Sequence, residues 1–145
     1  MDEREKEYYR AFVEILQTGY WLIERINGVL KPYNFTEPQY NVMKILEHHN
    51  RPVSVRAIQR YVMHKSSNIT RIVDKLVTKG YVDRHIDPKN RRMMAISITD
   101  RGRSILKELN AEITALHAPM QAAMEIEDSR TLRRLLEQFQ AEGKV

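Results

Sequence analysis

The sequence predicts a mainly α-helical protein with one small β-hairpin. Apolar residues recur at steps of three and four in six separate stretches. The period falls to two only between residues 82 and 98. Ser, Thr, Asp, Pro and Gly stand where helices would start and stop. At 145 residues the chain is expected to form one domain, or one domain plus an extension, and it can build a core without a disulfide or metal staple.

The first helix is expected from about Asp2 to Lys31. Phe12, Leu16, Gly19, Ile23, Ile26 and Leu30 form one face, and Pro32 closes it. Val13, Ile15, Leu22 and Val29 widen that face, so more than one side should be buried. A second helix follows Phe35, with Thr36 as N-cap, Gln39 completing a capping box and Pro38 in the first turn. Asn50-Arg51-Pro52 ends it. Ser54 then caps a short helix with Val55, Ile58, Tyr61 and Val62 inward and Arg56 and Arg60 outward. After Met63-His64-Lys65, a helix opening at Ser66 carries the stripe Ile69, Ile72, Val73, Leu76 and Val77, and Gly80 stops it. Two short helices joined by a tight turn are a helix-turn-helix, whose second member reads the DNA major groove.

Val82, Arg84 and Ile86, then Met94, Ile96 and Ile98, alternate with Tyr81, Asp83, His85, Ala95, Ser97 and Thr99. Between them the polar run Asp87–Arg92 is expected as an exposed, cationic turn. Thr99 caps a further helix bearing Ile105, Leu109, Ile113 and Leu116, which Pro119 should bend or end. A last helix follows Asp128 or Ser129, with Leu132, Leu135, Leu136 and Phe139 as its stripe.

Composition narrows the function. The chain has no cysteine, which excludes thiol catalysis, a thiol redox switch and Cys-ligated metal. Net charge is +5, and it is uneven. Residues 53–103 hold twelve Lys/Arg against four Asp/Glu, while the remainder is net −3. A basic centre with mildly acidic flanks suggests a polyanion-binding module between segments with another task. The opening Asp2-Glu3-Arg4-Glu5 is too charged for a signal peptide, and no apolar run approaches the ~18 residues of a membrane span. A soluble cytoplasmic protein with no membrane partner is expected. The five glycines form no phosphate-cradling or nucleophile-elbow motif, so no enzyme is expected. The five histidines lack metal-site spacing, so neither a metal nor a cofactor is expected.

On the second helix of the helix-turn-helix, Ser67, Asn68, Thr70 and Arg71 are candidates for base edges. Arg pairs bidentately with guanine, and Asn does so with adenine. Ser66 at the helix start can meet a phosphate, and Lys65, Lys75 and Lys79 would hold the backbone. Arg56 lies on the outer face of the preceding helix. Asp74, placed among cations, would orient Arg71 or an arginine of the hairpin. Lys89, Arg91 and Arg92 make the hairpin tip cationic, and the two arginines suit the minor groove.

Helices, a helix-turn-helix and a basic hairpin in this order make a winged helix-turn-helix. The runs Pro52–Ile58, Lys65–Val82, Asp87-Pro88-Lys89-Asn90-Arg91-Arg92 and Ile98-Thr99-Asp100-Arg101-Gly102 resemble the MarR family of transcriptional regulators. The resemblance spans nearly the whole chain and is most specific in the helix-plus-wing stretch. Asn90 departs from it, since the family usually has Asp there. The resemblance implies a homodimer with interleaved terminal helices, binding double-stranded DNA at a near-palindromic operator. Residues 1–35 and 100–145 would form the helical dimerisation region and 36–99 the winged DNA-binding module. The apolar residues Phe12, Leu16, Ile23, Leu132, Leu136 and Phe139 would hold the dimer. It further implies a repressor relieved by a small aromatic or phenolic ligand, with Tyr20, Trp21, Tyr33, Tyr40 and His48 as candidate pocket wall. Two other functions fit the same residues: a winged-helix module meeting an acidic protein, and a DNA-binding regulator with no ligand.

Overall fold

The structure, a computed structural model, describes residues 1–144. It divides into two units, the first spanning Met1–Ile113 and the second beginning at Thr114. In chain order the first unit holds α1 (Glu3–Leu30), a 3-10 turn (Lys31–Tyr33), α2 (Glu37–His49), β1 (Val53–Ser54), α3 (Val55–Tyr61), α4 (Ile69–Thr78), β2 (Val82–Asp87), β3 (Asn90–Ile98) and the start of α5 (Asp100–Ala122). The second holds the end of α5 and α6 (Ile126–Gly143). No helix among the described residues is long and apolar enough to cross a membrane.

Local chemistry sets most boundaries. At the start of α2, Gln39 N–H donates to Thr36 Oγ1 and Thr36 N–H to Gln39 Oε1, which satisfies two orphan donors reciprocally. Asn34 and Asn50, both in the left-handed conformation, end the 3-10 turn and α2. Ser54 caps α3 through Ala57 N–H at 3.1 Å. After α4, Gly80 takes a positive φ, and Gly80 N–H and Tyr81 N–H return to the carbonyls of Val77 and Leu76.

The core of the first unit is built around Leu30, Val42, Met43, Leu46, Ile58, Val73, Leu76, Ile96, Leu106 and Leu109, all essentially buried. The α4 stripe supplies Ile69, Val73 and Leu76 to it. The antiparallel sheet has the order β1-β3-β2, and β1 joins through the pair Val53↔Ile96.

Several expectations need correction. The hairpin turn is only Pro88-Lys89. Asp87 pairs with Asn90 after a bulge at Ile86/Asp87, so Arg91 and Arg92 stand in β3 rather than in a turn. Side-chain oxygens close the tip: Asp87 Oδ1 accepts from Lys89 N–H and Asn90 Oδ1 from Arg92 N–H. Tyr61, at the end of α3, is exposed rather than inward. Pro119 does not end α5, for the helix runs on to Ala122. The carbonyl that loses its partner belongs to Ala115, an exposed residue, where water can take the bond. The last helix starts at Ile126, because Asp128 acts as the third helical residue and accepts from the backbone N–H of the cap, Glu125. Of α1, only Leu30 is buried. Ile26 is partly buried against the same core, while Phe12, Ile15, Leu16 and Ile23 stay exposed.

Two features of the first unit carry consequences for stability. Gly102, in the first turn of α5, lies against the end of the hairpin. A Cβ there would sit 2.1 Å from the Tyr81 carbonyl oxygen and 2.8 Å from Ile98 Cγ1. Glu37 opens α2 as a buried residue, and its N–H donates to Asn27 Oδ1 at 2.9 Å. Burial raises its carboxyl above the ordinary value, while His64 pulls the other way.

Gly102→Ala is expected to destabilise the fold by about 3 kcal/mol, read by urea denaturation, because the nearest obstructing atom is a backbone oxygen that cannot swing aside. Glu37 holds its proton more tightly folded than unfolded, so the native state loses stability as pH rises through and above the carboxylate range. Glu37→Gln should therefore raise Tm near neutrality and change it little in acid, where the native carboxyl is already neutral. An equal effect at both ends would show that burial of charge is not the cause.

Candidate nucleic-acid interface

The link between α3 and α4 is tied down by its own polar groups. Met63 N–H donates to Asn41 Oδ1 at 2.9 Å, Gln59 Nε2 to the Lys65 carbonyl at 3.0 Å and Ser67 N–H to the His64 carbonyl at 3.0 Å. Ser66 and Ser67 therefore precede α4 instead of opening it. Asn68 is its N-cap, with Oδ1 accepting from Arg71 N–H at 3.2 Å. The apolar stripe faces the core and leaves Thr70, Arg71 and Lys75 exposed.

Two clefts flank α4. One, of about 490 Å³, lies between α3, α4 and the hairpin and includes Arg56, Thr70, Arg84 and Arg92. The other, of about 240 Å³, lies against the start of α2 and includes Thr36, Ser67, Asn68, Arg71 and Lys75. Seven of the candidate DNA-contacting residues thus line grooves on either side of one exposed helix face. Lys65 and Ser66 are exposed in the link, and Lys89 and Arg91 are exposed on the hairpin, but none of these four enters a cleft.

Asp74 pairs with Arg84 of β2, so it holds an arginine of the hairpin. Both side chains keep substantial solvent contact, and the pair adds little to stability. Its effect is positional: it ties the first strand of the hairpin to α4. Arg84 was not among the candidates read from sequence, although it shares a strand face with buried Val82 and stands opposite buried Ile96. Lys79 was expected at the DNA backbone. Its ammonium donates to the Asn34 carbonyl and lies 4.8 Å from the Phe35 ring centroid.

The five residues offered as a ligand wall do not converge. Tyr20 is exposed on α1, and Trp21 lies beneath Arg25. Tyr33 donates to Glu112 at 3.1 Å and Tyr40 to Asn110 Oδ1 at 2.7 Å, which ties them to α5. His48 packs edge-on against His49. None of the five lines any of the three principal clefts. Among the described residues no group of three His, Asp or Glu side chains is placed to hold a metal ion.

Residues 35–94, which contain both helices, both flanking clefts and most of the hairpin, match the MarR family model. The matched stretch is less than half of the chain. The HTH-type transcriptional regulator SarZ of Staphylococcus aureus is 30% identical over 93 residues, covering 64% of this chain and 62% of that protein. The chain thus matches less than two thirds of that relative's length. Among solved structures, the transcriptional regulator BldR of Sulfolobus solfataricus is 29% identical with a TM-score of 0.77, covering 95% of this chain and 99% of that one. A MarR mutant of E. coli complexed with operator DNA superposes with a TM-score of 0.79 at 21% identity, covering 96% and 99%. The fold is accordingly that of these structures, a winged helix.

Proposed function

We propose that this protein is a dimeric, sequence-specific DNA-binding transcriptional regulator that acts as a cytoplasmic repressor by occluding a promoter. The observation that carries the reading is α4: an amphipathic helix with Arg71, Thr70 and Lys75 outward, grooves on both sides and an arginine-bearing hairpin beside it. Placed in a major groove, α4 would bring Arg71 to a base edge, while Arg91 and Arg92 of β3 would follow the adjoining minor groove. SarZ and BldR are both named as transcriptional regulators, which supports the same role.

Dimerisation is supported by exposed apolar side chains. Phe12, Leu16 and Ile23 are 37–44% exposed on α1, and α6 buries no residue although it carries Leu132, Leu135, Leu136 and Phe139. Residues 1–35 and 100–145 would form this dimerisation region, with 36–99 as the DNA-binding module. Two modules held at fixed spacing would require a near-palindromic operator. A small aromatic or phenolic effector would act through the dimer. By binding better when the modules are differently spaced, it would weaken DNA binding by that difference in affinity. Tyr20 and Trp21, exposed on α1, would meet such a ligand only where a second subunit covers them.

The DNA reading is tested by selecting binding sites in parallel with wild type, Arg71→Ala and Arg92→Ala at one salt concentration. Arg71→Ala should cost ~1–3 kcal/mol per half-site and relax the preference at one base pair. Arg92→Ala should weaken many sequences together, most on A·T-rich flanks. A motif untouched by Arg71→Ala but altered at one central base by Arg92→Ala would reverse the assignment. Absence of duplex binding by wild type would favour an acidic protein partner. For the dimer, sedimentation should give two chains for wild type and one for Leu132→Glu, a substitution at a residue already exposed in the single chain. A monomeric wild type that still binds its operator tightly would overturn the dimer.

A further inference from the structure

A third cleft, of about 410 Å³, lies where the junction of α1 and α2 meets the end of α4. Lys31, Lys75 and Lys79 all line it, together with the polar groups of Asn34, Thr36 and Gln39. No Asp or Glu lines it, and among the described residues none of the three lysines forms a salt bridge. Like charges gathered in one concavity repel, and a chain gains nothing from that arrangement alone.

The deepest of the three is held in place. Lys79 Nζ donates to the Asn34 carbonyl and to Gln39 Oε1, at 3.4 Å for the latter, and lies over the Phe35 ring. These partners carry no net charge, so they fix the ammonium without neutralising it. Burial, and then the neighbouring Lys75 ammonium, lower the Lys79 amine below its ordinary value. The cleft therefore carries positive charge that its own walls leave uncompensated, beside neutral groups that can donate or accept hydrogen bonds. Thr36, Gln39 and Lys75 also belong to the cleft beside Arg71, so the two concavities adjoin along α4.

We propose that this cleft binds a phosphate-class anion, held by Lys31, Lys75 and Lys79. The anion has two chemically equivalent sources: a backbone phosphate of bound DNA, reached along the groove from Arg71, or a soluble phosphate. Only the first source rests on the DNA-binding reading.

The test compares the full-length protein with Lys31→Gln, which removes one cation from an exposed position without touching the hydrogen bonds of Lys79. Inorganic phosphate should raise Tm above chloride at matched ionic strength in wild type, and Lys31→Gln should abolish that excess. If DNA supplies the phosphate, Lys31→Gln should also flatten the plot of log K against log salt by about one counterion per subunit. Dependence of the phosphate effect on Lys31 with an unchanged DNA slope assigns the site to a soluble phosphate. Dependence of the slope alone assigns it to the DNA backbone. If neither quantity depends on Lys31, the proposal is overturned. A wild type that binds no duplex empties the DNA arm and leaves the phosphate arm to decide, so failure of the DNA reading is distinguishable from failure of this one.

Discussion

The placement of the hairpin depends on a small junction where the chain enters and leaves it. Thr99 N–H donates to the Tyr81 carbonyl, Thr99 Oγ1 donates to the Gly80 carbonyl, and Gly102 N–H donates back to Thr99 Oγ1. One threonine thus closes the end of α4, pins the two strands together and caps α5. Gly102 has no side chain because the Tyr81 carbonyl occupies the space a Cβ would need. With both ends of the hairpin clamped at the foot of α4, the reach of β2 and β3 past that helix is set by strand geometry. The Asp74–Arg84 pair then restrains the sheet along its length.

Charge on this face is divided between groups that organise the protein and groups that remain outward. Arg84 is committed to Asp74, and Lys79 to the Asn34 carbonyl. Arg56, Arg71, Arg91 and Arg92 form no ion pair among the described residues and remain exposed. The surplus of cations between residues 53 and 103 is therefore greater in its external effect than in its contribution to folding.

The helices were legible where a boundary is set by neighbours in the chain. Thr36 with Gln39, Ser54, Gly80 and Thr99 each act within three or four residues, and each acts as its type suggests. What could not be read depends on distant partners. β1 is only Val53-Ser54, too short for a periodic signal, and it exists because Ile96 and Ala95 lie opposite. Asp74 had several cations within reach of a sequence argument, and only the packing of β2 on α4 selects Arg84. At the candidate interface the residue types were legible on α4, but the duties of Asn68 and Lys79 were not. Both spend polar atoms on the fold, Asn68 at the helix end and Lys79 at the turn after α1. The acceptors of the Tyr33 and Tyr40 phenols were illegible for the same reason, since they come from α5, some seventy residues or more away.

The cap at Asn68 changes what that side chain can say to a base. Two complementary hydrogen bonds to adenine require the amide oxygen to receive the exocyclic N6 hydrogen while the amide nitrogen serves N7. Here the oxygen is engaged by Arg71 N–H, and its withdrawal would uncap α4. The oxygen keeps a second lone pair and both Nδ2 hydrogens stay free, so the cap fixes the direction of the amide without exhausting it. Asn68 could therefore meet a base only along the one direction that the start of α4 allows, and a helix that shifted to suit another approach would lose its cap.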